Sequence, residues 1–263
     1  MLWLSLGENC LPNEILNRFY LRSYSTPFSS GRSNIDYLLA LEQKKYEGLL
    51  DPENLYHIET DSIKVVKSKI YNQCSPIFAK SVSEGFEFTH HDVLDNKKHR
   101  KAIKRRIDRM LSIRGERNIC FLYYHRPSLT SNLEELTAKL NQFAQIYSNE
   151  KAESFVVLFT QKKLTSVVSQ KRLEFLGQNK RVLTFLFHTH HLWEGNDQDI
   201  FWARIDDDLI ALMFKEVFNK IKIDFGLKVY AQVRFLQYKN RFYKNILFKI
   251  AKKRIKLMKF NFF

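Results

Sequence analysis

Short apolar runs alternate with amphipathic segments along most of this chain. Continuous or alternating apolar residues predict strands, and apolar residues recurring every three or four positions predict helices. The predicted strands are Leu2–Leu6, Gly85–Thr89, Asn118–Tyr124, Phe155–Phe159 and Val182–Phe187, with short ones at Ile63–Val66 and Ile77–Ala79. The predicted helices are Pro12–Tyr20, Ile35–Lys45 (with Asn34 as N-cap), Lys97–Arg114, Asn132–Tyr147 and Asp206–Ile223.

Alternation of buried strands with helices of 10–18 residues predicts an α/β fold. We expect a mostly parallel sheet with helices on both faces, a Rossmann-like three-layer arrangement. A papain-like α+β arrangement is the alternative. Residues 1–224 are predicted to form a single α/β domain, since no linker interrupts them. In such folds the functional groups collect at the carboxyl ends of the strands.

Composition narrows the class of protein. The chain has 263 residues, of which 44% are hydrophobic and 27% charged, as in a globular protein and unlike a disordered one. Its three cysteines, Cys10, Cys74 and Cys120, are far apart in sequence, which argues against a disulfide framework and for a reducing compartment. The first residues lack the basic start and the long apolar run of a signal peptide, so a cytoplasmic location is predicted.

The formal charge of +15 is concentrated at the end of the chain. Residues 225–263 contain eleven Lys or Arg and no Asp or Glu; the remainder has 32 basic and 28 acidic residues, a net charge of +4. Leu236, Tyr243, Leu247, Ile250 and Leu257 share one face of a predicted basic amphipathic helix. Such a segment is typical of peripheral binding to an anionic membrane surface, here the inner membrane. Packing on the domain is an alternative, and nucleic acid fits its aliphatic character less well.

Cys10 is the first candidate for chemistry, because it follows the strand Leu2–Leu6 and opens the next helix. Helix N-termini stabilise thiolates and lower their pKa, and the N–H groups near Asn9 could hold an oxyanion. Gly7 would allow the turn between strand and helix. A small buried cysteine without chemistry is the alternative.

Other strand ends offer a base and an acid. His90, His91 and Asp92 follow the strand Gly85–Thr89, and the order Cys, His, acid is the one that thiol enzymes of the papain type use. Neighbouring side chains on an extended segment point to opposite faces, so either His90 or His91 is the base. A polar turn after the strand is the alternative interpretation.

A possible substrate rim comprises His125 and Arg126 after one strand, and His188 and His190 after another. His188 and His190 share one side of an extended segment, with Glu194 or Asp197 near, but their spacing matches no recognised zinc motif. We therefore predict no metal. No nucleotide-binding glycine motif is present either, and no cofactor is predicted.

The opening Ser5-Leu6-Gly7-Glu8-Asn9-Cys10, then Leu21-Arg22 and Pro27-Phe28, resembles a bacterial family of unknown function labelled papain-like cysteine peptidases. The resemblance is sharp over about the first 30 residues and looser to about residue 205. It implies Cys10 as nucleophile, His91 with Asp92 as the later pair, and supporting roles for Gly7 and Asn9. Ser29-Ser30 stands where the family has Asp-Trp. Members often occur among genes for surface polysaccharides.

These observations define three hypotheses. The first is a thiol-dependent hydrolase or acyltransferase at the inner membrane face, acting on an unidentified acyl or glycan substrate, with surface-glycan biosynthesis as the expected pathway. The second is a sugar-nucleotide-dependent transferase of a glycan pathway, in which Cys10 is only structural. The third is a non-catalytic adaptor that binds the membrane.

Overall fold

The structure is a computed structural model that describes residues 1–60, 63–166 and 168–221. Contacts divide the chain into two units, Met1–Val217 and Phe218–Phe263, and the first is described below. Its strands are β1 Leu2–Gly7, β2 Leu55–Thr60, β3 Ile63–Ser68, β4 Glu87–Phe88, β5 Ile119–Tyr124, β6 Ser154–Lys163, β7 Arg172–Asn179 and β8 Val182–Thr189. Its α-helices are α1 Leu11–Arg18, α2 Ile35–Gln43, α3 Lys97–Ser112, α4 Leu133–Ile146, α5 Gln198–Phe201 and most of α6 Asp207–Lys220, whose last three residues belong to the second unit.

The main sheet has five strands in the order β1-β5-β6-β8-β7. The pairs β1–β5, β5–β6 and β6–β8 are parallel, and β7 pairs antiparallel with β8. Strands β2, β3 and β4 form a separate antiparallel sheet. The prediction of a mixed α/β fold with a mostly parallel sheet is confirmed. Because Gly7 of β1 pairs with Tyr124 of β5, the residues that follow these two strands are neighbours.

Helices cover both faces of the main sheet. Leu4 and Phe121 share a buried core cluster with side chains of α2, α3 and α4. Trp3, which alternates with Leu4 and therefore points to the opposite face, packs edge-on against Phe214 of α6 with ring centroids 5.6 Å apart. Arg18 of α1 forms an ion pair of 2.8 Å with Asp207, so α1 and α6 lie on this second face. The two faces together give three layers.

Asparagine side chains start three of the helices. Asn34 accepts a hydrogen bond from the Tyr37 backbone N–H, as predicted for an N-cap. Asn96 and Asn132 cap α3 and α4 in the same way, each accepting two backbone N–H groups. These caps satisfy N–H groups that the first turn of a helix leaves without an intrahelical partner. The observed bounds of these three helices differ by only a few residues from those that the periodicity predicted.

Two parts of the predicted pattern differ from the structure. The predicted strand Ile77–Ala79 is wrong, because this segment is a loop whose Ile77 and Phe78 side chains are buried, and the Ile77 carbonyl accepts from the Ser128 hydroxyl. Strands β2 and β7 were not predicted. Charged residues alternate with apolar ones along β7, and Gly177 lies at an irregularity in its pairing with β8, which interrupts the pattern.

The predicted basic amphipathic segment 225–263 lies outside the described residues. Within the ranges that the structure does describe, no helix combines the length and the apolar character needed to cross a membrane.

Candidate active site

Half of the predicted site residues lie at the neighbouring carboxyl ends of β1 and β5. Gly7 has φ +130°, a conformation that L side chains rarely adopt, and a Cβ there would lie 3.4 Å from the Tyr124 backbone nitrogen. The chain then turns through Glu8 and Asn9 into α1. Gly7 thus allows the close approach that places Glu8 beside the residues following Tyr124.

Cys10 occupies the N-cap position of α1 and is partly buried. Burial raises the pKa of its thiol to about 11; the positive charge of Arg32 lowers this pKa and the negative charge of Glu87 raises it. The lowered thiol pKa expected at a helix N-terminus is therefore not found. Among the described residues, the sulfur atom has no hydrogen-bond partner, and in this state Cys10 carries its proton at neutral pH.

Asn9 lies just before α1, and its side chain contacts the backbone of the first residue of the helix. Its side-chain oxygen accepts the Leu11 backbone N–H at 2.9 Å. An oxyanion at this position would have to replace the Asn9 side chain as the partner of that N–H group. The Leu11 N–H group therefore becomes available only if the Asn9 side chain moves.

His91 packs against α3. Its Nε2 lies 3.4 Å from Nη2 of Arg106, and its ring meets that of His99 edge-on with centroids 5.4 Å apart. The pKa of His91 is lowered to about 4, chiefly by burial. The positive charge of Arg106 and the neighbouring His99 and His90 lower it further. His91 is therefore neutral at physiological pH. His90 is exposed, and its backbone N–H donates to the Ser30 carbonyl at 3.4 Å.

Asp92 is directed away from His91. Its Oδ1 accepts the backbone N–H groups of Leu94 and Asp95 and lies 3.4 Å from Nε2 of His57. Burial alone would raise the pKa of Asp92, but the hydrogen bonds from Asp95 and His57 outweigh it and lower this pKa. Asp92 thus contacts His57, and the structure does not bring Cys10, His91 and Asp92 into one hydrogen-bonded chain.

Lowering the pH from 7 to about 4.5 is expected to destabilise the protein through His91 by about 1–2 kcal/mol. The unfolded ring titrates near 6.5 and the folded ring near 4, so between these values the unfolded state binds more protons. Stability therefore rises with pH through this window and is level above it. Urea denaturation of the wild type and His91→Gln at pH 4.5 and 7 measures the difference, with the exposed His90→Gln as control. The same pH dependence in wild type and His91→Gln would contradict it.

A buried acid–base pair lies on the same edge and was not predicted as a unit. Glu8 is 1% exposed and His125 is 0% exposed. Oε1 of Glu8 lies 2.6 Å from Nδ1 of His125, and Nε2 of His125 lies 2.8 Å from the Ser131 hydroxyl. Glu8 also accepts the Tyr123 hydroxyl at 3.2 Å and the Arg126 backbone N–H at 2.9 Å. His125 was predicted as part of a substrate rim, whereas Glu8 and Ser131 were missed.

The remaining predicted rim residues form separate contacts. Arg126 forms an ion pair with Glu194. His188 is buried, and its Nε2 lies 2.7 Å from Glu174 on the neighbouring strand β7. His190 is half-buried. His188 contacts Glu174, and Glu194 contacts Arg126. The structure therefore does not assemble these side chains into a shared metal site.

Among the residues that the structure describes, one cluster has donor atoms close enough together for a cation. Ligand atoms of His57, Asp92 and Asp95 lie within 4.8 Å of one another. Lys64 is 3.6 Å from Asp95 and neutralises part of its charge. The cluster is explained by these ion pairs and by the turn that Asp92 caps.

The chain belongs to the family described as "Putative papain-like cysteine peptidase (DUF1796)", whose model matches residues 1–163. This range runs from β1 to the end of β6 and includes Cys10, His91, Asp92 and His125. No curated protein and no solved structure matches the chain.

Proposed function

We propose that the protein is an acyl-transfer enzyme, a thiol-dependent hydrolase or acyltransferase, with Cys10 as its nucleophile. The observation that carries this proposal is the place of Cys10, partly exposed at the carboxyl end of β1 and the start of α1, within the range matched by the peptidase family. Nucleophiles at such positions reach substrates at the open edge of the sheet. The Cys10 sulfur forms a bond to the acyl carbon, the bond to the leaving group breaks, and the leaving group takes the proton that the thiol gave to the base. The acyl group then passes from Cys10 to water or to an acceptor.

The proton of Cys10 leaves only in the enzyme–substrate complex. A thiol pKa of about 11 against an imidazole pKa of about 4 keeps the proton on sulfur in the free protein. His91 is neutral, which is the form that accepts a proton, and we assign it the role of base. The free protein is therefore protected from indiscriminate alkylation and oxidation, since the thiolate is the reactive form.

Arg106 provides a means of activating His91. Its Nη1 donates to the Ser30 hydroxyl at 3.1 Å and lies 3.5 Å from the Thr26 carbonyl oxygen. In the part of the chain that the structure describes, no carboxylate forms an ion pair with Arg106. Because its positive charge is one cause of the low His91 pKa, an anionic group bound to Arg106 would raise that pKa. The favoured substrates are therefore acyl compounds that also carry a carboxylate or phosphate.

Acylation by p-nitrophenyl succinate, an activated ester with a free carboxylate, tests this proposal at pH 7.5. With a pKa of about 11, only roughly 1/3000 of Cys10 is thiolate, against roughly 1/10 of an unfolded cysteine. An unassisted Cys10 would therefore react about 10²-fold more slowly than the denatured protein. We expect folded wild-type Cys10 to react at least about 10²-fold faster than the denatured protein, because general base catalysis and positioning more than offset its small thiolate fraction.

Peptide mass spectrometry assigns the acyl group in this experiment. It is expected on Cys10 and absent in Cys10→Ala, whereas Cys74→Ala behaves as wild type. His91→Ala is expected to slow acylation by about 10²-fold, while His90→Ala serves as the matched control. Acylation of Cys10 slower than in the denatured protein, or unaffected by His91→Ala, would overturn the assignment.

We further propose that residues 225–263 place the enzyme on the inner membrane face. The support is the eleven basic residues without an acidic one, interspersed with bulky apolar residues. Co-sedimentation with vesicles containing 30% phosphatidylserine measures the membrane binding of the full chain. The triple change Lys252→Glu, Lys253→Glu, Arg254→Glu is expected to weaken this binding at least about tenfold. Equal binding to vesicles of phosphatidylcholine alone would contradict it. A substrate from surface-glycan biosynthesis would be consistent with that location.

A further inference from the structure

The array Glu8–His125–Ser131 has the donor and acceptor order of a hydrolytic triad. Glu8 accepts three hydrogen bonds, from the Tyr123 hydroxyl, the Arg126 N–H and the His125 ring, as a buried carboxylate requires. In the tautomer with its proton on Nδ1, His125 donates to Glu8, and Nε2 has a lone pair that accepts from the Ser131 hydroxyl, 2.8 Å away.

Ser131 is held in the orientation that this transfer needs. Its oxygen accepts the Ser128 backbone N–H at 2.8 Å, which would stabilise negative charge developing on that oxygen, and lies nearer to His125 Nε2, at 2.8 Å, than to the Ser128 hydroxyl oxygen, at 3.2 Å. The acid and the base are buried, whereas Ser131 is only partly buried, just before the Asn132 cap of α4. A buried base beside an accessible hydroxyl is the arrangement in which only the nucleophile meets the substrate.

Phe78 links this array to an open surface hollow. The ring of Phe78 packs edge-on against His125, with centroids 6.2 Å apart, and Phe78 also lines a polar surface hollow together with Asn72, Ser75 and Lys80. The Ser128 hydroxyl donates to the Ile77 carbonyl, which ties this loop to the segment that carries Ser131. Ser131 does not line the hollow itself, and a small acyl group would approach it from its own partly exposed side.

We propose that Ser131 is a second nucleophile, with His125 as its base and Glu8 as the residue that positions the base. The substrates are small activated esters. The Ser131 oxygen forms a bond to the acyl carbon while its proton passes to Nε2 of His125. The bond from the acyl carbon to the leaving oxygen breaks, and that oxygen takes the proton. Water then attacks the acyl carbon and gives a proton to Nε2, the bond from that carbon to the Ser131 oxygen breaks, the proton returns to Ser131, and the carboxylic acid leaves.

Sulfonylation by phenylmethanesulfonyl fluoride tests the inference on the full chain. A bond forms between the Ser131 oxygen and sulfur, the sulfur–fluorine bond breaks, and fluoride leaves with the proton released to solvent. We expect a single adduct on Ser131, located by peptide mass spectrometry. It should be absent in Ser131→Ala and retained in the exposed Ser112→Ala. No adduct in the folded wild type, or an adduct elsewhere that persists in Ser131→Ala, overturns the proposal.

Glu8→Gln separates a positioning role from a structural one. We expect the folded variant to be sulfonylated about 10²-fold more slowly or worse, because an amide does not fix the Nδ1 proton as a carboxylate does. A merely structural Glu8 would lower the melting temperature while the folded fraction kept the wild-type rate and pH profile. Cys10→Ala is expected to react with the reagent as wild type does, so this inference and the Cys10 proposal can fail separately.

Discussion

Replacing Glu42 with alanine is expected to lower the free energy of unfolding by about 3–5 kcal/mol. The Glu42 side chain is 0% exposed and lies inside the core between α2 and α4. The hydroxyls of Tyr46 and Tyr147 donate to its Oε1, and Arg114 donates to its Oε2. Alanine leaves two buried phenols and a largely buried guanidinium without their acceptor, which costs more than the lost attraction itself.

Urea denaturation at pH 7 measures this effect from the midpoint and the slope. The matched control is Glu116→Ala, the same substitution at an exposed position, which should change stability by less than about 0.5 kcal/mol. Glu42→Gln keeps the shape of the side chain and one acceptor oxygen. Its loss of unfolding free energy should lie between those of Glu42→Ala and Glu116→Ala. A loss below about 1 kcal/mol for Glu42→Ala would show that water replaces the carboxylate.

Replacing Phe121 with alanine is expected to cost about 3–5 kcal/mol, the range for truncating a buried phenylalanine. Phe121 is 0% exposed at the centre of β5. Its ring packs edge-on against Phe143 and Tyr147 of α4, at centroid distances of 5.3 and 5.1 Å. Alanine loses the burial of the ring and leaves a cavity between sheet and helix.

Urea denaturation of Phe121→Ala and Phe121→Leu measures the size of that cavity effect. Leucine fills part of the space, so Phe121→Leu should lower the free energy of unfolding by less than half as much as Phe121→Ala. Tyr147 contacts both Phe121 and Glu42. The double variant Glu42→Ala, Phe121→Ala should therefore lose less unfolding free energy than the two single variants added together, by about 0.5–3 kcal/mol. Strict additivity would mean that Tyr147 keeps its place when either partner is removed.

The sequence predicted those elements whose signal is local. Continuous apolar runs marked β1, β5, β6 and β8, and helical periodicity with an asparagine at the start marked α2 and α4. Strand β7 escaped because its alternation includes charged residues and a glycine. The buried loop at Ile77 was mistaken for a strand, because burial alone does not distinguish a packed loop from a sheet.

The candidate site was less accessible from sequence because its contacts are long-range. Glu8 meets His125 only through the register that pairs Gly7 with Tyr124, more than a hundred residues apart in sequence. The thiol pKa of Cys10 depends on burial, which no local pattern encodes. His91 and Asp92 do follow the local rule that neighbouring side chains diverge, since one contacts Arg106 and the other His57.

The position of β1 at the edge of the sheet has a consequence for synthesis on the ribosome. Among the described residues its partner in the main sheet is β5, which begins at Ile119, whereas β1 ends at Gly7. At roughly 5–20 residues per second, translation leaves the first strand without this partner for about 5–20 s. The burial that raises the pKa of Cys10 belongs to the folded protein. We therefore expect the Cys10 thiol to be more reactive during synthesis than after folding.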